Sequence, residues 1–339
     1  MSARQRALPA LAWALLAPFA ASAASDAPGL RLIEFRSADC IACDAAADAL
    51  AADPGWQQAV KRVATVSLDA DGDGAGREQA ARYRIGRLPT WLLVNAEGQE
   101  LGRVAGAQTP AVFTEALGRW LRNRSTAKSR SARAIEITRD GAAALAETLA
   151  RYHAQNDGDG GFAWWLRLPI AVRGQQSSAS PEVLHWRNRI EFLQAAQRGN
   201  APQADAGGHK VLEDPQVGCD RGIELARYLA STGDLDPARR RASLVAFRRD
   251  AEAALATDVF AEPRRCVDGL PLVLATADLL AALDEPAAER NLLAQAVALA
   301  ERRRAASQPR DRRALPKQLA ALRARLAPTP SPALESGAD

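Results

Sequence analysis

The sequence predicts an α/β domain, a mixed sheet flanked by helices, followed by an all-α domain of helical hairpins. Strand and helix signals alternate over residues 30–123, whereas strand signals almost vanish after residue 134. The chain has 339 residues, enough for two domains, and its 47% hydrophobic and 25% charged residues are typical of globular proteins. Aromatic residues make up only 5%, and the abundance of alanine and leucine favours helix.

The first 24 residues are predicted to be a signal peptide. Arg4 and Arg6 precede an apolar run of 14 residues, and the small residues ASAAS follow it. This three-part pattern is typical of secretory leaders. The run is too short, and too interrupted by prolines, for a membrane span. We therefore expect the chain to be secreted across the inner membrane and to reside in the periplasm.

The α/β domain is predicted over residues 28–123, with elements in the order β-α-β-α-β-β-α. The strand patterns are apolar or alternating, the last two are joined by a glycine-bearing turn, and Thr109 and Pro110 begin the last helix as N-cap and first helical residue. In chain order the segments are LRLIEF, CIACDAAADALAAD, RVATVSLD, GREQAARYRI, TWLLVNAEGQELGRVAG and TPAVFTEALGRWLRNR.

A linker is predicted over 124–134, a helical and repeat-like domain over 135–326, and a disordered tail over 327–339. Helical patterns occupy 139–153, 181–198, 217–232, 237–257, 265–283, 286–306 and 311–326. Segments rich in glycine and polar residues are expected to interrupt the helices, and these are NDGDGG, RGQQSSAS and RGNAPQADAGGHK.

Two similar segments, CDRGIEL and CVDGLPL, lie 47 residues apart in the helical domain. Their shared pattern predicts stacked helical hairpins similar to tetratricopeptide-like solenoids. Equivalent positions of stacked repeats are neighbours, so Cys219 and Cys266 are candidates for a structural disulfide in an oxidising compartment. Two buried thiols and a second redox pair that relays electrons remain open alternatives.

Cys40 and Cys43 stand three residues apart where an apolar strand runs into a helix. Free N–H groups at a helix start stabilise a thiolate, which is the nucleophile in disulfide exchange. A purely structural bond explains the spacing poorly, because so short a loop gains little from closure. A zinc site is disfavoured because four ligands usually come as two close pairs. The Asp-rich segment 69–74 lacks the closing acid of a calcium loop.

The order of several features resembles the thioredoxin superfamily, especially secreted bacterial members such as the C-terminal domain of the periplasmic thiol–disulfide interchange protein. The resemblance is carried by EFRSADCIACDAA and YRIGRLPTWLLVNAEGQELGRVAG. It implies that Cys40 is the nucleophile, that Cys43 is the buried resolving thiol, and that Glu34 moves a proton to or from Cys43. It also implies a cis bond before Pro89 and a substrate-binding segment formed by Leu88, Pro89 and Thr90.

Two carboxylates depart from the family pattern, Asp39 just before the pair and Asp44 just after it. Negative charge near a sulfur opposes thiolate formation. The sequence therefore favours a reductant or an isomerase-like enzyme over an oxidase.

The predicted function is that of a periplasmic thiol–disulfide oxidoreductase that acts on protein disulfides through Cys40 and Cys43. Its expected partners are disulfide-bearing proteins and a membrane electron donor, with no metal and no cofactor. The formal charge of +4 is small and both signs are mixed along the chain, so a nucleic-acid partner is not expected. The alternative is a non-catalytic scaffold or holdase, in which the helical domain binds partners and the α/β domain is a binding module.

Overall fold

The structure, a computed structural model, describes residues 29–72, 74–122, 139–262, 264–306 and 313–327. The predicted signal peptide, the predicted linker and residues 328–339 of the predicted tail lie outside these ranges. No helix within the described ranges is long and apolar enough to cross a membrane.

The first part of the chain contains a four-stranded mixed sheet in the order β2-β1-β3-β4. Strand β1 pairs in parallel with β2 and antiparallel with β3, which pairs antiparallel with β4. The strands are β1 Arg31–Arg36, β2 Ala64–Asp69, β3 Thr90–Val94 and β4 Glu100–Ala105. The mixed sheet predicted from the sequence is confirmed.

Helices pack on both faces of this sheet because β1 alternates its side chains between two apolar clusters. Leu32 lies with Trp56 and Phe113 on one side, and Ile33 and Phe35 lie on the other. The helices of this part are α1 Ile41–Ala52, α2 Pro54–Val60, α3 Ala75–Arg82 and α4 Pro110–Arg122.

Helix α2 was not anticipated from the sequence. It begins because the Asp53 carboxylate accepts a hydrogen bond from the amide of Trp56, and because Pro54 occupies the first helical position.

The rest of the described chain is helical. Each of the seven predicted helical segments contains a helix, and the ends differ from the prediction by a few residues. The helices are α5 Arg139–Ala154, α6 Gly158–Arg167, α7 Ile170–Ala179, α8 Pro181–Gln197, α9 Ala201–Leu212, α10 Arg221–Ser231, α11 Pro237–Ala254, α12 Leu270–Ala282, α13 Pro286–Ala306 and α14 Ala314–Leu326. A 3-10 turn, Pro215–Asp220, precedes α10, and a π-helical turn, Leu255–Val259, extends α11.

The three glycine-rich and polar segments that were expected to break the helices are instead largely helical, within α6, α7 and α9. Asp157 and Asn200 cap the first and last of these helices through their side chains. A Cβ on Gly208 would lie 2.4 Å from the Tyr228 ring. The glycine therefore permits close helix packing there and does not end the helix.

The sheet-containing part and the helical part are in direct contact. Helix α14 packs along α1, and α5 reaches β4. The backbone amide of Ala314 donates to the Asp48 carboxylate over 3.2 Å, and Arg151 lies 3.6 Å from Glu100. These contacts bring the C-terminal helix to the helix that carries the cysteine pair.

Candidate dithiol site

The Cys40–Cys43 pair lies at the start of α1 and is bonded, with an S–S distance of 2.04 Å. Strand β1 ends at Arg36, and a short turn places Cys40 as the N-cap of the helix. The Cys40 Sγ accepts a hydrogen bond from the amide of Cys43 over 3.0 Å. A thiolate at this sulfur would receive the same N–H group and the positive end of the helix dipole.

The two sulfurs differ in their access to solvent. Cys43 is fully buried, whereas Cys40 is half-buried and stands at the surface end of the pair. Only the outer sulfur is therefore open to a macromolecular disulfide. The inner sulfur is positioned to attack Cys40 after a mixed disulfide has formed.

Glu34 is a buried acid in the strand that leads to the pair, and it is 8% exposed. It shares a face of β1 with Leu32, the face on which Leu50 of α1 packs. Burial raises the pKa of Glu34 above its ordinary value, although a hydrogen bond from Ser67 and the charge of Arg36 partly oppose the shift. A carboxyl group in this state can hold a proton at a pH where an exposed one cannot.

The Leu88–Pro89 peptide bond is cis. The Pro89 carbonyl accepts from the amide of Gly106 over 2.7 Å, and the buried Thr90 hydroxyl donates to the Arg87 carbonyl over 2.6 Å. Within the described part of the chain, the backbone amide and carbonyl of Leu88 have no hydrogen-bond partner. These two groups are therefore available to an extended peptide.

Asp44 is buried, at 4% exposure, and it is paired with two cations. The Arg36 Nη2 lies 2.9 Å from Oδ1, and the Lys317 Nζ lies 2.7 Å from Oδ2. From its position in the sequence, Asp44 was expected to oppose thiolate formation. That expectation is wrong for this residue, because both of its oxygens face a cation. Among the described carboxylates beside the pair, Asp39 is the exposed one.

Lys317 was not identified from the sequence, because it comes from α14 at the far end of the chain. The neighbours of α14 on α1 follow a helical spacing of 3, 4 and 7 residues, which puts them on one face of α1. These neighbours are Ile41, Asp44, Ala45 and Asp48.

The second pair, Cys219 and Cys266, is also bonded, with an S–S distance of 2.07 Å and a Cα–Cα distance of 5.5 Å. Cys266 is buried at 4% exposure. The two similar segments identified in the sequence lie side by side, since a Cβ on Gly222 would be 2.3 Å from the backbone nitrogen of Leu272.

A buried cluster of charges lies close to this second pair. Arg189, 2% exposed, holds Asp220 at 2.8 Å and Glu224 at 2.6 Å, and His153 Nε2 lies 3.0 Å from Glu224. A partner for His153 could not be identified from the sequence. Burial, aided by the charge of Arg189, lowers the pKa of His153 to about 4, so the imidazole is neutral at pH 7 and donates a hydrogen bond to the carboxylate.

Arg87 connects this cluster with the cis-proline segment. Its Nη2 lies 2.6 Å from the Asp220 carboxylate, which follows Cys219 directly, and its carbonyl receives the hydrogen bond from Thr90. The charges of Arg87 and Arg189 hold the pKa of Asp220 well below its usual value despite its burial. The segment before Leu88 is thus fixed to the helical part by an ion pair.

Among the described residues, no group of three or more histidine, cysteine, aspartate or glutamate side chains could hold a metal ion. In the Asp-rich segment, the Asp69 carboxylate accepts hydrogen bonds from the amides of Asp71 and Gly72, which close a local turn.

The mixed sheet, the paired cysteines at the start of α1 and the cis bond before Pro89 are features that the resemblance to the thioredoxin superfamily implies. No protein-family model and no curated protein sequence matches the chain. Among solved structures the chain is similar to a thioredoxin from Thermus thermophilus, with 24% identity, 32% of this chain and 85% of that chain covered, and a TM-score of 0.29.

Proposed function

We propose that this protein is a periplasmic thiol–disulfide oxidoreductase that reduces or rearranges disulfides of client proteins. The observation that carries the proposal is the asymmetry of the Cys40–Cys43 pair. One sulfur is half-buried at the start of α1, where it receives an N–H group, and the other is completely buried one turn further in. This asymmetry suits a two-step exchange in which the sulfurs have different tasks.

In the first step, the Cys40 thiolate attacks one sulfur of a client disulfide. A bond forms between Cys40 and that sulfur, the client S–S bond breaks, and the departing client sulfur takes a proton. In the second step, the Cys43 thiolate attacks the Cys40 Sγ, the mixed disulfide breaks, and the second client sulfur leaves as a thiol. Two electrons pass from the dithiol to the client, and the Cys40–Cys43 disulfide remains.

Glu34 and Leu88 have supporting roles in this scheme. Because its pKa is raised, Glu34 can take the proton that Cys43 loses in the second step. The free amide and carbonyl of Leu88 can pair with an extended client segment and present its disulfide to Cys40. Asp39, exposed beside the nucleophile, supports the reducing or isomerising direction over strong oxidation.

The proposed location rests on the leader-like sequence of the first 24 residues and on two disulfides, which persist in oxidising compartments. In such a compartment the oxidised pair needs a source of two electrons after each reduction. We propose that a membrane-bound dithiol reductase supplies them by the same exchange chemistry.

The reduction of insulin by dithiothreitol, followed by light scattering, tests the proposal. Wild type should accelerate the reaction, and Cys40→Ser should reduce it to the uncatalysed rate because the attacking sulfur is lost. A Cys219→Ala/Cys266→Ala variant serves as the control and should retain turnover. Equal turnover for wild type and Cys40→Ser would refute the proposed function and favour a non-catalytic scaffold.

A further inference from the structure

Lys317 links the C-terminal helix to the segment that carries the cysteine pair. Its Nζ lies 2.7 Å from the Asp44 Oδ2 and also donates to the carbonyl of Ala38. Ala38 and Asp44 flank the pair in the sequence, two residues before Cys40 and one residue after Cys43. One ammonium group therefore contacts both ends of the dithiol segment.

The start of α14 is held in place independently of this charge. Ala314, 4% exposed, packs with Ala45 and Val267, and its amide donates to the Asp48 carboxylate over 3.2 Å. Lys317 lies three residues further along the same helix, on the same face. A helix of the helical part that packs on α1 at its start thus presents the ammonium group to α1.

The charge of Lys317 matters because Asp44 has little water to screen it, at 4% exposure. A carboxylate next to the pair disfavours a second negative charge, so it disfavours the thiolate of reduced Cys40. Arg36 balances one carboxylate oxygen from within the sheet-containing part, and Lys317 balances the other from outside it. Other charged groups near this segment are Asp39 on the surface, the buried Glu34, and Asp48, which interacts with Asp44; Arg313 faces both Glu34 and Asp48.

We propose that Lys317 is a positioning residue of the dithiol site, and that α14 sets the redox potential of the Cys40–Cys43 pair by balancing Asp44. The helical part then contributes to the chemistry of the site as well as to the architecture. The inference rests on the proposed function only in requiring that the pair can be reduced and reoxidised.

The redox potential of the full chain measures this effect directly. The protein is equilibrated with mixtures of reduced and oxidised glutathione, and the reduced fraction of the Cys40–Cys43 pair is read from the mass shift on thiol alkylation. Loss of a cation within contact distance of Asp44 is expected to shift the equilibrium about tenfold toward the disulfide in Lys317→Met, which corresponds to about 30 mV more negative.

Two further variants separate charge from packing. Lys317→Arg keeps the cation and should remain within about twofold of wild type. Lys210→Met is the matched control, since it removes a half-exposed lysine of α9 whose partner is Glu191, and it should not change the equilibrium. Far-UV circular dichroism of each variant establishes that the fold is retained.

Asp44→Asn tests whether Lys317 acts through the carboxylate. In that background, Lys317→Met should no longer shift the equilibrium toward the disulfide. Equal potentials for wild type and Lys317→Met, or an undiminished shift in the Asp44→Asn background, would overturn the inference. Failure of insulin reduction would refute the proposed function and leave this potential measurement intact.

Discussion

Removal of the Cys219–Cys266 bond should destabilise the helical part strongly. The bond joins positions 47 residues apart, and a cross-link of that span removes chain entropy from the unfolded state worth about 4 kcal/mol at 25 °C. Cys266 is buried among packed helices, and the two flanking segments are in van der Waals contact. Replacement of both cysteines by alanine should therefore act mainly through the unfolded chain.

Urea denaturation under non-reducing conditions, followed by far-UV circular dichroism, measures this cost. If the free energy of unfolding falls by about 3 kcal/mol per M urea, the urea midpoint of Cys219→Ala/Cys266→Ala should be about 1.3 M lower than that of wild type. The matched control is Cys40→Ala/Cys43→Ala, whose bond spans only three residues. The same relation gives about 1.6 kcal/mol for that bond, a fall of about 0.5 M.

Equal midpoint shifts for the two double variants would refute this reasoning, since chain entropy depends on the span. A stable Cys219→Ala/Cys266→Ala protein that has lost insulin turnover would contradict a purely structural role for the second pair.

Three other predictions follow from burial and packing. Glu34→Gln should raise the free energy of unfolding at pH 7, because the raised pKa makes the ionised acid costly there; the gain should vanish below the ordinary carboxyl pKa, as urea titrations at pH 7 and pH 4 would show. Gly222→Ala should lower the free energy of unfolding by about 1–3 kcal/mol, measured by thermal unfolding, because its Cβ would overlap Leu272. Gly174→Ala should be neutral or stabilising, because, its own turn of helix apart, no atom of the described residues lies within 4 Å of an added Cβ at that helical position. Equal effects of the two variants would contradict the close contact at Gly222. The free energy of unfolding of the wild type should fall by up to about 3 kcal/mol as the pH falls from 6.5 to 4, since protonation of His153 favours the unfolded chain. In His153→Gln this pH dependence should flatten.

The sheet and the cysteine pair could be predicted because their signals are local. Strand β1 is an apolar run that ends at the cysteines, and both signals depend on neighbouring residues in the chain. The cis bond before Pro89 was implied by the resemblance to the thioredoxin superfamily and not by its neighbours alone.

The charge balance of the site could not be predicted, because Asp44 and Lys317 are close only in the folded chain. From its neighbours in the sequence alone, Asp44 was expected to be an unpaired acid that opposes a thiolate. Likewise, His153 acquires its partner from α10, far along the chain. Electrostatic arguments drawn from sequence neighbours therefore failed where the helical part contributes the opposite charge.

The second wrong prediction was that the glycine-rich segments would interrupt the helices. Gly207 and Gly208 lie inside α9, where a Cβ would come within 3.1 Å of Phe192 and 2.4 Å of Tyr228. Their composition signals close helix contact in this fold, and the same composition is typical of loops. Only the packing partners, which lie on α8 and α10, distinguish the two meanings.

Capture of a mixed disulfide tests the central claim most directly. Cys43→Ala leaves Cys40 without its resolving partner, so incubation with an oxidised client such as insulin should yield a covalent adduct that dithiothreitol releases. Mass spectrometry should locate the bond at Cys40. The Cys40→Ser/Cys43→Ala double variant should form no adduct. An adduct of equal yield in the double variant, or none in Cys43→Ala, would contradict the assignment of Cys40 as the attacking sulfur.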